Sequence, residues 1–386
     1  MIAKLKKRFG GLREQEKLKV KHLFFCLSCV FIAYYLFELI YDNMKVKYFS
    51  LILGVFMNKL MKVLLIVVFL VYVIDLVTSP DSIKVENVQR TNISSKVASI
   101  CSGTRTIDIS DISEDGSVIV GECRKKEASN DQQVFIYSPS GVKSLESIEK
   151  QSLKHLHISG DGSVIWGTFY VENEGSHIFR YTQLDGFKDL GTMGKKHISI
   201  GGVSADGSII VGYFYNSSND NSLAYRAFRY SQTLGFEDLG DMSAENTFAR
   251  GVSADGLWLV GSTDIGSSSK STLRWISTHA FRYSHADGMK DLGTMGDAAF
   301  ATGISNDGSV IVGSGSIYHT IFFIAEISHK SFVFVYTDKS GIQKLDGIGE
   351  EQYMTIKISA DGTRLVGSYR DKKRESYVYT ANLFLR

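Results

Sequence analysis

From about residue 106 onward, short apolar runs alternate with polar turns in a pattern that returns along the whole chain. The recurring phrase is a small or polar residue, then Asp-Gly, then β-branched residues, then Val-Gly or a close variant. It reads SEDGSVIVG at Ser113–Gly121, SGDGSVIWG at Ser159–Gly167 and SADGSIIVG at Ser204–Gly212. It returns as SADGLWLVG at Ser253–Gly261, SNDGSVIVG at Ser305–Gly313 and SADGTRLVG at Ser359–Gly367. A period of about 50 residues marks a repeat architecture. The fourth copy parses most clearly. Ala249–Ser253 leads into an Asp255-Gly256 turn, Leu257–Ser262 follows, and after a Ser-rich loop His279–Ser284 leads through Asp287-Gly288 to Met289–Leu292. Asp-Gly between β-type runs signals a hairpin, because Gly tolerates the positive φ of a tight turn. Two hairpins in about 50 residues make a four-stranded propeller blade. The pattern therefore predicts an all-β, six-bladed β-propeller-like array over 106–386; an open β-solenoid is the alternative. Closure needs a last strand for the sixth copy, from either Asn382–Arg386 or Lys96–Ile100.

The third run of each copy carries two aromatics. Phe135, Phe179, Phe228, Phe281, Phe334 and Tyr377 are read as one position, and Tyr137, Tyr181, Tyr230, Tyr283, Tyr336 and Tyr379 as the position two residues later. Residues i and i+2 share one face of a strand, so these rings read as packing between blades. Between them stand Arg180, Arg229 and Arg282, and nine residues later Asp189, Asp238 and Asp291. Copies one and five lack both members, with Ile136 and Ser144 in one and Val335 and Lys344 in the other. The joint presence and loss predicts an Arg–Asp ion pair across each second hairpin.

Residues 1–80 contrast with this body. They hold 12 Lys/Arg against 5 Asp/Glu, whereas residues 81–386 hold 31 against 36. The mildly acidic repeat region lacks the basic footprint that nucleic acid requires. The N-terminal part contains apolar runs at Leu23–Phe37, Phe49–Met57 and Val63–Ile74. Met57–Lys62 followed by the third run has the shape of a secretory signal, and an uncleaved helical anchor fits equally well. Residues 1–80 are thus read as a basic extension with hydrophobic helical signal or anchor segments contacting the membrane, and 81–105 as a linker or closing strand. Cys26 and Cys29 form an isolated C-x-x-C; Cys101 and Cys123 flank the first copy and are able to pair if the domain is exported.

His279-Ala280-Phe281-Arg282-Tyr283-Ser284, with Gly288–Gly296 (GMKDLGTMG) and Gly303–Ser309 (GISNDGS), resembles the HAF-repeat family of bacterial, probable extracellular repeat proteins. The resemblance covers roughly 106–386. It implies export and a surface setting, and no enzymatic activity. The triplet varies to His177-Ile178-Phe179 and Arg226-Ala227-Phe228, which suggests a strand-edge position for its first residue.

The chain has no G-x-S-x-G, no phosphate-binding loop and no H-E-x-x-H. His155 and His157 form the one close His pair and read as residues of an alternating strand. The Asp-Gly turns lack the dense acids of a calcium loop, and Asp there caps its own backbone. No catalytic, cofactor-binding or metal-ligating residues are assigned, and no cofactor. The expected function is a non-enzymatic, exported or membrane-anchored repeat protein, outside the cytoplasm, binding an unknown protein or glycan through its loops. These are Glu172–Ser176, Tyr215–Ser222 and above all the insertion Ser314–Lys330. The alternatives are a propeller enzyme acting on glycans or other extracellular polymers, which non-repeated carboxylates would favour, and a passenger module of a larger surface system.

Overall fold

A computed structural model describes residues 83–125, 132–145, 152–195, 197–217, 223–240, 246–265, 277–321, 325–346, 352–371 and 373–385. The chain divides after Ser79, and the described residues belong to the second unit. The expected N-terminal helical segments, with Cys26 and Cys29, lie outside them. Among the described residues no helix is long and apolar enough to cross a membrane.

The chain enters through β1 (Ile83–Asn92) and a single-turn helix α1 (Ile93–Lys96), capped by Asn92 Oδ1 accepting from the Ser95 N–H. Sets of four strands follow. The first is β2 (Thr104–Ile112), β3 (Ile119–Lys125), β4 (Gln132–Ser138) and β5 (Gly141–Leu145). The second is β6 (Leu153–Ile158), β7 (Val164–Val171), β8 (Gly175–Thr182) and β9 (Gly186–Asp189). The third is β10 (Ile198–Val203), β11 (Ile209–Ser217), β12 (Leu223–Ser231) and β13 (Gly235–Asp238). The fourth is β14 (Thr247–Val252), β15 (Leu259–Ile265), β16 (Ser277–Ser284) and β17 (Gly288–Gly293). The fifth is β18 (Ala298–Ile304), β19 (Val310–Ile321), β20 (Ala325–Thr337) and β21 (Gly341–Asp346). The last is β22 (Gln352–Ile358), β23 (Arg364–Arg370) and β24 (Ser376–Leu383).

Strands within each set pair antiparallel, and β1 pairs antiparallel with β24. By hydrogen bonding the described residues form four sheets and not the separate units the repeat count suggests. Three are four-stranded, and one has twelve strands. The large sheet arises because short parallel ladders, Thr278↔Ala298 and Ile83↔Leu345 with Lys84↔Asp346, bridge successive sets.

The first strands lie side by side in turn: β2, β6, β10, β14, β18, β22, and then β2 again. The sets therefore radiate from a closed ring, and the fold is a β-propeller. Each hydrophobic cluster joins neighbouring sets; Val120 and Val134 of the first, for example, pack with Leu153, Leu156 and Phe179 of the second. The ring is clasped end to end by Ile83–Asn92. Lys96–Ile100 does not do this, because Lys96 ends α1 and the residues after it form a turn. Asn382 and Leu383 belong to β24 itself. Val85 is buried in the last core, and Ile83 and Val88 pack against it, so β1 carries the apolar residues a closing strand needs.

The recurring phrase has a local cause in every copy. Each turn Ser donates to the Oδ1 of the turn Asp at 2.5–2.7 Å and accepts the N–H five residues on, as Ser204 does for Ile209. The same Oδ1 accepts the N–H two residues on, as Asp206 does from Ser208. Hydrogen bonds from Ser305 and Ser359 hold the Asp307 and Asp361 carboxyls below the ordinary range. Gly256 sits at φ +76°. Its missing Cβ leaves space for Ile209 of the preceding set. The turns are also stitched together. Asp161 N–H donates to the Ala205 carbonyl at 3.0 Å, Ala205 N–H to Ala254 at 3.1 Å and Asn306 N–H to Ala360 at 2.9 Å.

The final Gly of the phrase is a seat for an aromatic ring. Gly121, Gly167, Gly212, Gly261, Gly313 and Gly367 stand opposite Phe135, Phe179, Phe228, Phe281, Phe334 and Tyr379. The five Phe rings are fully buried and Tyr379 is nearly so, contributing roughly 1.5–3 kcal/mol each. In the last copy the equivalent ring is Tyr379 and not Tyr377, which lies two residues too early in the pairing.

Candidate functional site

The expected Arg–Asp pairs are not formed as predicted. Register places Asp238 opposite Phe228, and Arg229 opposite Glu237. A shift of one residue moves a side chain to the other face of the sheet. The partner of each Asp is instead the first residue of the triplet. His177 Nδ1 lies 3.0 Å from Asp189 Oδ2, Arg226 Nε 3.1 Å from Asp238 Oδ1 and His279 Nδ1 3.0 Å from Asp291 Oδ2. The triplet's first position therefore has a hydrogen-bonding role, contrary to the strand-edge expectation. Copies one and five carry Gln133 and Phe332 there, which explains why their Asp is missing too. Two of the displaced arginines bond elsewhere, while the Nε of the buried Arg229 has no partner among the described residues. Arg282 Nη1 donates to the Gly308 carbonyl at 2.7 Å and pairs with Asp338 at 3.2 Å, while Arg180 reaches Asp185.

Two features break the repeat. The first lies on the ring-lining strands, four residues before each turn Asp. Copies three to five have Gly202, Gly251 and Gly303 there, where neighbouring backbones approach closely. The other copies have Asp111, His157 and Lys357, and these meet. Lys357 Nζ is 2.8 Å from Asp111 Oδ1; His157 Nδ1 is 3.3 Å from Asp111 Oδ2, which also accepts the Ile158 N–H at 3.0 Å. Asp111 is 1% exposed. Burial alone would raise its pKa, but the Lys357 charge and the hydrogen bonds from His157 and Lys357 outweigh it and leave it at about 2. Sequence reading missed this cluster. Aligning the residue four before each turn Asp, which gives Asp, His, Gly, Gly, Gly, Lys, is the signal that finds it.

The second feature is a cleft of about 680 Å³ between the second and third sets. It opens on the side where second strands turn into third strands, away from the Asp-Gly turns. Tyr213, Tyr215 and Tyr225 form one wall. Tyr225 meets Tyr213 at 5.7 Å and Tyr215 at 5.5 Å, both edge-on, and Phe248 supports Tyr213 at 4.9 Å. Behind Phe248 the Arg250 guanidinium lies 5.4 Å from that ring and 5.2 Å from Phe300. The opposite wall includes Lys154, His155 and Tyr170, whose ring is 57% exposed. His155 occupies an irregularity in the β6–β7 pairing at φ +48°, a conformation costly for a non-Gly residue. The irregularity separates it from His157, so the two do not act as a pair. Its Nδ1 meets Thr168 Oγ1 at 2.9 Å. Burial, with smaller contributions from the His157 and Lys154 charges, pushes its pKa down to about 4.

The expected loops flank this cleft in part: Ser176 and Tyr215 line it, while residues 218–222 lie outside the described residues. The insertion Ser314–Lys330 lengthens the β19–β20 hairpin, and residues 322–324 at its tip lie outside the described residues. Cys101 and Cys123 are joined in a disulfide with Cα atoms 5.8 Å apart. Among the described residues no group of three or more His, Cys, Asp or Glu is arranged to hold a metal ion.

No protein-family model matches the chain, and no curated protein matches it. Among solved structures it is similar to TolB from Acinetobacter baumannii, with TM-score 0.49 and 15% identity over 69% of this chain and 64% of that one. It is also similar to a putative TolB from Agrobacterium tumefaciens, with TM-score 0.44 and 12% identity over 77% and 98%. The β-propeller domain of the Trilobed protease from Pyrococcus furiosus gives TM-score 0.44 and 12% identity over 69% and 80%. The chain thus spans under two thirds of the length of the Acinetobacter TolB. Likenesses this distant carry no argument about activity or partners, and the propeller reading rests on the strand pairing above.

Proposed function

We propose that this chain is a non-enzymatic, exported or membrane-anchored propeller of six blades that binds a partner on its loop-bearing side. The tyrosine cleft carries the reading. The fold's own needs recur in every copy, as the turn Ser-Asp pair and the Gly-seated ring do. The cleft tyrosines do not recur in that way: Tyr213 and Tyr225 have no aromatic counterpart in the other copies, and Tyr170 and Tyr215 share one position in copies two and three alone, so packing of the ring does not demand them. A blade count of six is supported by the cycle of first strands, with the twelve-stranded sheet counted as three blades bridged at their edges. A setting outside the cytoplasm is supported by the buried disulfide, which reducing compartments disfavour. The basic, apolar residues 1–80 and the HAF-repeat resemblance agree with it.

The Asp111–His157–Lys357 cluster is the observation that bears on the enzyme alternative. Both Asp111 oxygens are bound by partners within the ring, and the carboxylate is shielded from solvent. Such a group is suited to holding three blades together and ill suited to attacking a substrate.

Fractionation, and protease treatment of spheroplasts with an intact inner membrane, test the setting; a propeller protected until that membrane is lysed refutes it. Retention of the chain on native cell envelopes, compared with a Tyr225→Ala variant, tests the binding side. Equal retention refutes the assignment to the cleft.

A further inference from the structure

The cleft has a chemistry that narrows its ligand. None of its lining residues among those described is acidic, although the repeat region as a whole has a negative balance. Its polar groups are Lys154, His155, His197 and a few Ser and Thr hydroxyls, and its largest surfaces are tyrosine rings. Lys154 and His197 are exposed at its rim, and the Arg250 cation stands behind the tyrosine wall. Aromatic faces suit the C–H face of a sugar ring, and their hydroxyls suit its polar edge. A Lys at the rim favours a negative charge on that ligand. The volume falls within the range of small-ligand sites.

Resting on the partner-binding reading above, we infer that the cleft between the second and third blades binds a short acidic saccharide, with Tyr213 and Tyr225 as ring platforms and Lys154 facing the ligand carboxylate. His155 is a positioning group on the same wall as Lys154. The buried aliphatic slot that Ile109, Ile200 and Ala249 fill in other copies is filled in this one by Leu156, which packs at Gly167 and leaves His155 exposed beside the cleft. A polar residue held at φ +48° on that exposed surface is not required by the core. At neutral pH the low pKa of His155 keeps it uncharged. It therefore serves as a hydrogen-bond partner, with its Nε2 3.5 Å from Ser199 Oγ, and leaves the charge recognition to Lys154.

Isothermal titration of the full chain tests this, with trigalacturonic acid, a hyaluronan tetrasaccharide and sialyllactose as acidic probes. Maltotriose and cellotriose are the neutral sugars, and triglutamate the acidic peptide. At least one acidic sugar binds, and the neutral sugars bind roughly ten-fold more weakly or worse, the loss expected from one charge-assisted hydrogen bond. Lys154→Gln and Tyr225→Ala each weaken the acidic sugar about ten-fold or more; the melting temperature is unchanged in Lys154→Gln, whose side chain is exposed, and falls slightly in Tyr225→Ala, which loses its ring contacts. The inference is overturned if no acidic sugar binds, if both variants bind like the parent, or if triglutamate binds more tightly than every sugar. Envelope retention separates the two levels. If the sugars fail but both variants reduce retention, the saccharide falls and the partner-binding side stands; if neither assay responds to the variants, both fall.

Discussion

Replacing Lys357 by Met leaves the Asp111 carboxylate buried without its cation, while His157 and the Ile158 N–H stay in place. In the parent, Asp111 titrates at about 2 and not 3.8. At 1.36 kcal/mol per pH unit, that difference contributes about 2 kcal/mol of stability at neutral pH. Because the folded pKa is the lower one, this contribution is complete above about pH 4 and fades as pH falls toward 2. Removing one partner of a buried pair costs about 3–5 kcal/mol. Lys357→Met should therefore lower the melting temperature by roughly 5–10 °C at pH 7. Burial, now unopposed by the ammonium, should raise the Asp111 pKa above its ordinary value. The sign of the pH dependence then reverses, and the variant gains stability relative to the parent as pH drops from 7 toward 4. Adding Asp111→Asn should recover part of the loss, since a neutral amide needs no counter-charge. Thermal melts by circular dichroism at about pH 3.5–7.5 on the parent, the single variant and the double variant provide the readout. A Lys357→Met variant that melts with the parent at every pH would falsify the claim that this cluster ties the first, second and last blades.

The ion pairs give a second test by double-mutant cycle. Arg226→Ala with Asp238→Ala should show a coupling of about 0.5–1 kcal/mol, the usual size for a partly exposed pair, whereas Arg229→Ala with Asp238→Ala should be additive within error. The opposite ranking would restore the register expected from sequence. Joint Cys101→Ser and Cys123→Ser substitution should cost about 2–4 kcal/mol in urea melts; an unchanged midpoint would mean the bridge is absent in solution. Ser204→Ala removes both a donor to Asp206 and an acceptor for the Ile209 N–H, so a loss of about 1–2 kcal/mol is expected. Gly212→Ala places a Cβ 2.8 Å from the Phe228 ring and closer still to the Ser199 carbonyl. Soluble yield should collapse, and normal expression with native melting would contradict the seated-ring account.

The parts of the fold that were legible in the sequence are those imposed by backbone chemistry at short range. Asp-Gly announces a positive φ, and the strands of the fourth copy fall within about two residues of where its apolar runs placed them. The aromatics were legible for the same reason, except in the last copy, where both Tyr377 and Tyr379 are available and only pairing with Gly367 selects the second. The Arg–Asp error is instructive: co-occurrence named the wrong partner for each Asp, because hairpin register, which depends on turn geometry, fixes which neighbour faces it, and that neighbour is the first residue of the triplet. Tertiary features were hidden. Asp111, His157 and Lys357 are separated by up to 246 residues and converge only because the ring closes. The cleft was hidden likewise, since Tyr170 and Tyr225 lie on different sets, and recognition was expected chiefly at the Ser314–Lys330 insertion.

The clasp has a mechanical consequence. β1 follows directly on residues 1–82, so tension applied to that end enters the body along the axis of β1. Its ladder with β24, from Val85↔Leu383 to Asn92↔Tyr377, is then loaded in shear, with many hydrogen bonds resisting together. Should that ladder slip, the Cys101–Cys123 bridge would carry the load past β2 and straight onto β3.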